Sequence, residues 1–246
     1  MKIVIKIGSA VLVKKEGGVI DRRTIASIVE QVNELISRGH SVALVSSGAV
    51  ASCPTTTFSK SLRAAIGQPK LMQLYGSYCN KFGREVCQLL YTHEDLSGER
   101  STYTKKVLLE AMKNGIIPVI NANDSVSGEE LDAIKEYADN DILAARVATM
   151  IAADQLYLLI REKGLINYDT GEVIHAVDDI QKASQLVRGK SAVGSGGMQS
   201  KLTVADMVCK KGVGVWLVPG KKRNAIIDAI DGKEIGTTFK VKRKRQ

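Results

Sequence analysis

The chain has 246 residues, 44% hydrophobic and 25% charged, a composition that is typical of a folded globular protein and excludes a disordered or fibrous one. No apolar stretch is long enough to span a membrane, and the first residues lack the apolar region of a secretory signal. Five of the charges behind the net +9 lie between Lys240 and Arg245. We expect a solvated basic tail over 240–246 and no nucleic-acid partner.

The cysteines and histidines argue against a metal centre. The four cysteines and three histidines are scattered and form neither a CxxC pair nor a ligand pattern. Thiols spaced in this way are typical of reduced cysteines in a cytoplasmic protein. We therefore predict a cytoplasmic location and no metal held by protein ligands.

The first half of the chain alternates apolar runs with helical patterns. Lys2 to Ile7 predicts a strand, and the short runs at 11–13 and 19–20 predict a hairpin or flap. Asp21 predicts the start of a helix that Gly39 would end. Gly67-Gln68-Pro69 could interrupt the next helix. The predicted strands are 2–7, 41–45, 85–90 and 116–120, and the predicted helices are 21–38, 61–82 and 103–113.

The second half continues the alternation, with strands at 155–160 and 213–218 and helices at 140–153, 198–211 and 225–230. Residues 169–188 predict an irregular connection with a short helix. Most of the strands are continuously apolar, as expected when both faces of a sheet are covered. The pattern predicts one domain over 1–239, a three-layer α/β/α sandwich with a largely parallel central sheet.

Polar clusters follow three of the predicted strands, at the edge where such sheets bind ligands. Gly8-Ser9 follows the first, Ser46-Ser47-Gly48 the second and 121–124 the fourth. Lys6 shares a strand face with Lys2 and Val4. Burying a lysine there requires an anionic partner, and the free backbone N–H groups of Gly8-Ser9 suit a phosphate. The alternative is an edge strand with Lys6 in water.

A glycine-rich turn at 194–197 precedes a helix and brings Lys201 about one turn into that helix. Backbone N–H groups at such a turn can approach a phosphate closely, although the sequence is not a Walker motif. The turn by itself could be no more than a tight turn. Asp139, Asn140 and Asp141 exceed what helix capping needs, and carboxylates here could position the two lysines.

Seven segments in order resemble the amino acid kinase family, and among its members those that phosphorylate glutamate. The segments are KIGSAVL, VSSGAVA, AAIGQPKLMQLY, IPVINANDSV, YADNDILAA, GSGGMQSKL and GTTF. The resemblance implies the amino acid kinase fold and transfer of phosphate from ATP, with Mg²⁺, to the γ-carboxylate of glutamate. The product would be glutamyl 5-phosphate, the first intermediate toward proline, and a glutamyl phosphate reductase would use it. The resemblance also implies a homo-oligomer.

The resemblance further implies a role for each matching residue. Lys6 and Lys201 would stabilise the transferring phosphoryl group and Asp141 would hold both lysines. Glutamate would contact Ser47, Asp124 and Asn140. The nucleotide phosphates would lie against Lys6, Gly8 and the run Ser195, Gly196, Gly197, Met198, Gln199, Ser200 and Lys201.

The chain departs from the family pattern in three places. Ile160-Arg161 stands where the family has Thr-Asp, the loop from Cys53 to Lys60 is short and atypical, and the RNA-modification-type domain of many bacterial members is expected to be lacking after GTTF. These departures leave two alternatives open. One is an enzyme of the same fold that acts on another carboxylate or phosphate, and the other is a degenerate member that senses a ligand.

Overall fold

The computed structural model describes residues 1–14, 18–92, 94–126, 140–187 and 197–241, and it is built on an eight-stranded sheet. The strands run in the order β3-β4-β2-β1-β5-β9-β10-β8. They are β1 (Lys2–Ile7), β2 (Ser41–Ser46), β3 (Val86–Tyr91), β4 (Ile117–Ala122), β5 (Gln155–Ile160), β8 (Ala176–Val177), β9 (Gly214–Pro219) and β10 (Thr237–Phe239). A separate pair joins β6 (Leu165–Ile166) to β7 (Val173–Ile174).

The sheet is parallel except where β10 runs antiparallel to β9. β1 lies at its centre, hydrogen-bonded to β2 on one side and to β5 on the other. Parallel strands point their carboxyl ends to the same edge, so the segments that follow β1, β2, β4 and β5 meet there. The largely parallel sheet of the prediction is confirmed.

Helices cover both faces of the sheet. They are α1 (Ser9–Leu12), α2 (Arg22–Ser37), α3 (Lys60–Cys79), α4 (Arg100–Lys113), α5 (Asn140–Met150), α6 (Ile180–Leu186), α7 (Met198–Cys209) and α8 (Ala225–Ile230). Ile3, Ile5 and Ile7 face a core shared with α2, α3 and α8. Val4 faces the opposite core, with α4, α5 and α7. The three layers, and the side-chain alternation along β1, are confirmed.

Of two local predictions about the segment after β1, one was wrong and one is confirmed in part. Residues 11–13 do not pair as a strand, because Ser9–Leu12 forms a single helical turn in which Val11 and Leu12 donate to the carbonyl of Gly8. Of the expected hairpin the described residues keep a single bridge, Val13 to Ile20, and 15–17 lie outside the described residues.

The helix predicted over 61–82 is continuous, although Pro69 lies inside it. Gly67 explains why the helix can pass so close to the loop after β2, since a Cβ atom there would lie 1.8 Å from the carbonyl oxygen of Ala49. That loop follows the polar end of β2. Among the described residues no helix combines the length and the apolar character that crossing a bilayer requires.

Candidate active site

Lys6 is buried in the middle of the sheet, so the edge-strand alternative is excluded. It pairs in register with Val45 of β2 and Leu158 of β5. The residue is 6% exposed, and its Nζ lies 2.6 Å from Oδ1 of Asp141. Gly8 follows so closely that a Cβ atom on it would lie 3.1 Å from the Lys6 Nζ. The ammonium group therefore sits against the backbone that leaves β1.

Asp141 joins this lysine to a second one. It lies in the first turn of α5 with a side chain that is 0% exposed. Its Oδ2 accepts a hydrogen bond of 3.1 Å from Nζ of Lys201, which lies in the first turn of α7. Three elements that are distant in sequence thus form one charged cluster, Lys6–Asp141–Lys201.

The electrostatics of the charged cluster favour a bound anion. Burial by itself would raise the pKa of Asp141, but the charges of Lys6 and Lys201 outweigh it and hold that pKa below the ordinary value. Among the three side chains of the charged cluster, two ammonium groups contact one carboxylate, so these three groups together carry a net positive charge. A phosphate group would neutralise that charge at short range, where the interaction is strongest.

A second cluster consists of neutral polar side chains and begins one residue before Asp141. Asn140 donates through Nδ2 to Ser47 Oγ at 2.8 Å and to Asn121 Oδ1 at 3.1 Å. Asn121 in turn donates to Gln68 Oε1 at 3.0 Å. We call these four side chains, Ser47, Gln68, Asn121 and Asn140, the amide cluster.

Two buried polar atoms of the amide cluster, Asn140 Oδ1 and Gln68 Nε2, have no hydrogen-bond partner among the described residues. Leaving such atoms unpaired typically costs about 1–3 kcal/mol each. Buried polar groups are otherwise almost always paired, so these two atoms are candidates for hydrogen bonds to a polar ligand. The charged cluster and the amide cluster therefore lie side by side at the start of α5.

The remaining predicted binding residues are placed as follows. Asp124 lies half-buried in the turn after β4. Gly197 precedes α7 in an extended conformation, and Met198, Gln199 and Ser200 form the first turn of α7 with Lys201. Ser195 and Gly196, like Asp139, lie outside the described residues. The described part of the glycine-rich turn thus leads directly into the helix that carries Lys201.

Arg161, at the position where the family pattern differs, is exposed at the end of β5. Its Nε and Nη2 donate to the carbonyl oxygen of Ala10 at 3.3 and 3.2 Å. The side chain therefore contacts the segment after β1. Within the described residues no group of three His, Cys, Asp or Glu side chains is arranged to hold a metal ion.

Sequence reasoning assigned no role to two members of the amide cluster. Gln68 lies within a long helix, and its partner Asn121 is far away in sequence. A glutamine directly before a proline inside a predicted helix is unusual, and this pattern could have identified Gln68 as a candidate. Asn121 carried a weaker signal, since it stands at the end of a strand that is otherwise apolar.

Comparison with known proteins gives the chain its family. The family model described as "Amino acid kinase family" matches residues 1–218. The glutamate 5-kinase of Serratia proteamaculans is 35% identical over 256 aligned positions, which cover 96% of this chain and 68% of that protein. The glutamate 5-kinase of Trichlorobacter lovleyi is 38% identical, with 97% and 66% covered.

Solved structures share the fold. Carbamate kinase from Giardia lamblia bound to AMP-PNP superposes with a TM-score of 0.69 at 15% identity, covering 97% of this chain and 98% of that one. UMP kinase from Bacillus anthracis gives a TM-score of 0.67 at 12% identity, covering 98% and 96%. With the family model spanning most of the sequence, the chain belongs to the amino acid kinase family.

Proposed function

We propose that this chain is a glutamate 5-kinase, which transfers the γ-phosphoryl group of ATP to the γ-carboxylate of L-glutamate. The observation that carries the proposal is the charged cluster, a buried carboxylate between two lysines, directly beside the amide cluster. Relatives named glutamate 5-kinase align over nearly the whole chain.

The reaction makes one bond and breaks one. A γ-carboxylate oxygen of glutamate attacks the γ-phosphorus of ATP, and the bond from that phosphorus to the bridging oxygen breaks to release ADP. The attacking carboxylate is ionised at neutral pH and needs no general base. Catalysis therefore requires positioning and charge stabilisation, which is what the charged cluster offers.

Each lysine has a separate part in the proposed transfer. Lys6, beside the backbone of Gly8, would contact the phosphates on the β1 side, and Lys201 would contact them from the first turn of α7. Negative charge builds on the bridging and terminal oxygens as the bond to ADP loosens, and fixed cations meet it without reorganising. Asp141 would aim both ammonium groups by binding each through a different oxygen.

The acceptor would lie against the amide cluster. Asn140 Oδ1 is an acceptor and Gln68 Nε2 a donor, and neither has a partner in the part of the chain that the structure describes. Glutamate carries an ammonium group and two carboxylates that could satisfy them. Ser47 would contact the same substrate, and Asp124 would pair with its ammonium group.

Mg²⁺ would enter as part of the nucleotide substrate. Both carboxylate oxygens of Asp141 already contact lysines, which leaves little capacity there for a cation. Mg²⁺ commonly binds through substrate phosphates and water with few protein ligands. We propose that Gly8 and residues 195–201 hold the phosphates of that MgATP complex.

The product is an acyl phosphate, which hydrolyses readily, so an enzyme that consumes it must act soon after its release. We propose a glutamyl phosphate reductase in this place, on the route to proline. The kinase domain over 1–239, the homo-oligomer and the cytoplasmic location stay predictions.

The test is an ADP-release assay with ATP, Mg²⁺ and a panel of acceptors: glutamate, acetylglutamate, aspartate, carbamate and UMP. We expect glutamate to stimulate ADP release far more than the others, and hydroxylamine to trap the acyl phosphate as a hydroxamate. Equal turnover with another acceptor would contradict this function and would indicate a kinase of the same fold that acts on that acceptor. Glutamate binding without ADP release would favour a sensor.

A further inference from the structure

The segment that follows β1, residues 8–13, is held in place by its own backbone hydrogen bonds and by side chains from distant parts of the chain. It contains the single turn α1, in which the N–H groups of Val11 and Leu12 donate to the carbonyl of Gly8 and the N–H group of Val13 donates to the carbonyl of Ser9. A helix this short leaves its last carbonyl groups without partners inside the helix. Leu12 finds one in the backbone N–H of Asp21 at 2.7 Å. The carbonyls of Ala10 and Val13 point to side chains from elsewhere in the fold.

Two basic side chains contact those carbonyls. Arg161 donates to Ala10 through Nε and Nη2 at 3.3 and 3.2 Å. Lys221 donates to Val13 through Nζ at a longer 3.5 Å, and the same Nζ lies 3.7 Å from Oδ2 of Asp21. Basic side chains commonly bind the last carbonyls of a helix in this way. Of the two side chains, Arg161 makes the shorter contact and donates two hydrogen bonds, whereas Lys221 donates one.

These side chains come from neighbouring loops at one edge of the sheet. Arg161 directly follows β5, Lys221 follows β9 by one residue beyond Gly220, and Ile160 pairs in register with Pro219. A Cβ atom on Gly220 would lie 2.7 Å from Val11 Cγ1, so the loop after β9 also presses its backbone on the segment. Residues 8–13 are therefore held in position by contacts from the loops that follow β5 and β9.

We infer that Arg161 and Lys221 are positioning residues, which fix residues 8–13 and thereby the phosphate-binding surface that Gly8 and Lys6 form together. The inference rests on the proposed function, because it assumes that this surface receives the nucleotide. Gly8 lies against the Lys6 ammonium, so a segment that moves away would loosen phosphate binding. Glutamate binding would be unaffected, since the amide cluster touches neither side chain.

A competing explanation is that the two cations only attract the nucleotide by their charge. The chain offers a matched control for each. Lys163 lies exposed two residues after Arg161, and Lys222 lies exposed next to Lys221. Neither side chain has a hydrogen bond or ion pair among the described residues. Each control variant removes the same charge from the same loop and leaves the carbonyl contact in place.

The experiment is calorimetric titration of a non-hydrolysable ATP analogue with Mg²⁺ into the full chain. Arg161→Ala is expected to raise the Kd of the analogue about tenfold and Lys221→Ala about threefold, because donors on charged groups contribute most to such contacts. Arg161→Lys, which keeps a donor and the charge, should recover part of the loss. Lys163→Ala and Lys222→Ala should stay within about twofold of wild type.

Steady-state kinetics add a second readout. The KM for ATP should follow the Kd of the analogue across the series, while the KM for glutamate stays constant. Equal losses in the variants and their controls would show that charge alone acts, and wild-type affinity in Arg161→Ala would overturn the inference. Should Arg161→Ala fail to fold, Arg161→Lys and Lys221→Ala carry the same comparison.

The binding measurement needs no acceptor, so the two proposals fail separately. A wild-type chain that binds the analogue but does not phosphorylate glutamate would overturn the proposed function and still allow the variants to be compared. A wild-type chain that does not bind the analogue would overturn the inference.

Discussion

The charged cluster and the amide cluster are neighbours, yet they differ in how they are stabilised before any ligand arrives. In the charged cluster the carboxylate of Asp141 contacts both lysines and its pKa is lowered. In the amide cluster Asn140 Oδ1 and Gln68 Nε2 are buried and have no partner within the described ranges. The charged cluster is stabilised by its own ion pairs, and we propose that bound substrate completes the hydrogen bonds of the amide cluster.

This difference predicts separate functional roles for two consecutive residues at the start of α5, Asn140 and Asp141. Changes in the charged cluster should act on turnover and on stability. Changes in the amide cluster should act on the affinity for the acceptor. Variants in each cluster should show whether these two roles are separate.

The largest effect is expected on turnover. Lys201→Ala and Lys6→Ala should each lower kcat by about two to three orders of magnitude, because each removes a fixed cation from the transferring phosphoryl group. The KM for glutamate should change little. Steady-state kinetics measure both, with Lys210→Ala as control, since Lys210 follows the same helix but pairs with Asp206 at the surface. A folded Lys201→Ala enzyme with near-normal kcat would contradict the proposed mechanism.

The next effect is on stability. Asp141→Asn removes the buried carboxylate that contacts both Lys6 and Lys201, and it should lower the free energy of unfolding by about 3 kcal/mol or more. Denaturant unfolding measures the change. Asp206→Asn removes an exposed partner of one lysine and should lower it by less than about 1 kcal/mol. Similar losses in the two variants would mean that the burial of the charged cluster has no energetic consequence.

A smaller effect is expected on acceptor affinity. Asn140→Ala removes the bridge between Ser47 and Asn121 and should raise the KM for glutamate about tenfold, with a smaller change in kcat. Asn114→Ala, an amide at the end of α4 far from this sheet edge, is the control. A fall in kcat with an unchanged KM would show that Asn140 acts on turnover and not on acceptor affinity, which would contradict separate roles for the two clusters.

The smallest effect concerns pH. Because the pKa of Asp141 is lower in the folded state than its ordinary value of 3.8, its stabilising contribution is complete above that value and is lost as the pH falls through the folded-state pKa. The stability difference between wild type and Asp141→Asn should therefore be constant near neutral pH and narrow below about pH 4. Acid unfolding curves of both proteins test this, and a constant difference down to pH 2 would contradict it.

Much of the fold could be predicted because it depends on local patterns. The apolar runs place the six predicted strands within two residues of their observed ends. Asp21 begins α2 as predicted, with its side chain accepting from the N–H groups of Arg23 and Thr24. The run at 11–13 misled because three apolar residues fit a strand and a helical turn equally well.

The site could be predicted only in part, for a physical reason. Alternation along β1 placed Lys6 on its face, and burial then required an anion. Its partner Asp141 followed from the resemblance and not from spacing. The contacts of Gln68 with Asn121 and of Arg161 with the carbonyl of Ala10 join distant segments, and no local pattern encodes such pairs. The roles of the site residues stay predictions.

The order of the strands has a consequence for the nascent chain. The first 126 residues supply β3-β4-β2-β1, and the part from residue 140 onward supplies β5-β9-β10-β8. During translation β1 is thus an open edge until β5 emerges, and such edges invite wrong pairing. Lys6 lies in that edge strand, and its partner Asp141 is synthesised later. Both clusters combine residues from the first 126 residues with residues from 140 onward. The ribosome must therefore synthesise the chain as far as Asn140 before the amide cluster can form and as far as Lys201 before the charged cluster is complete.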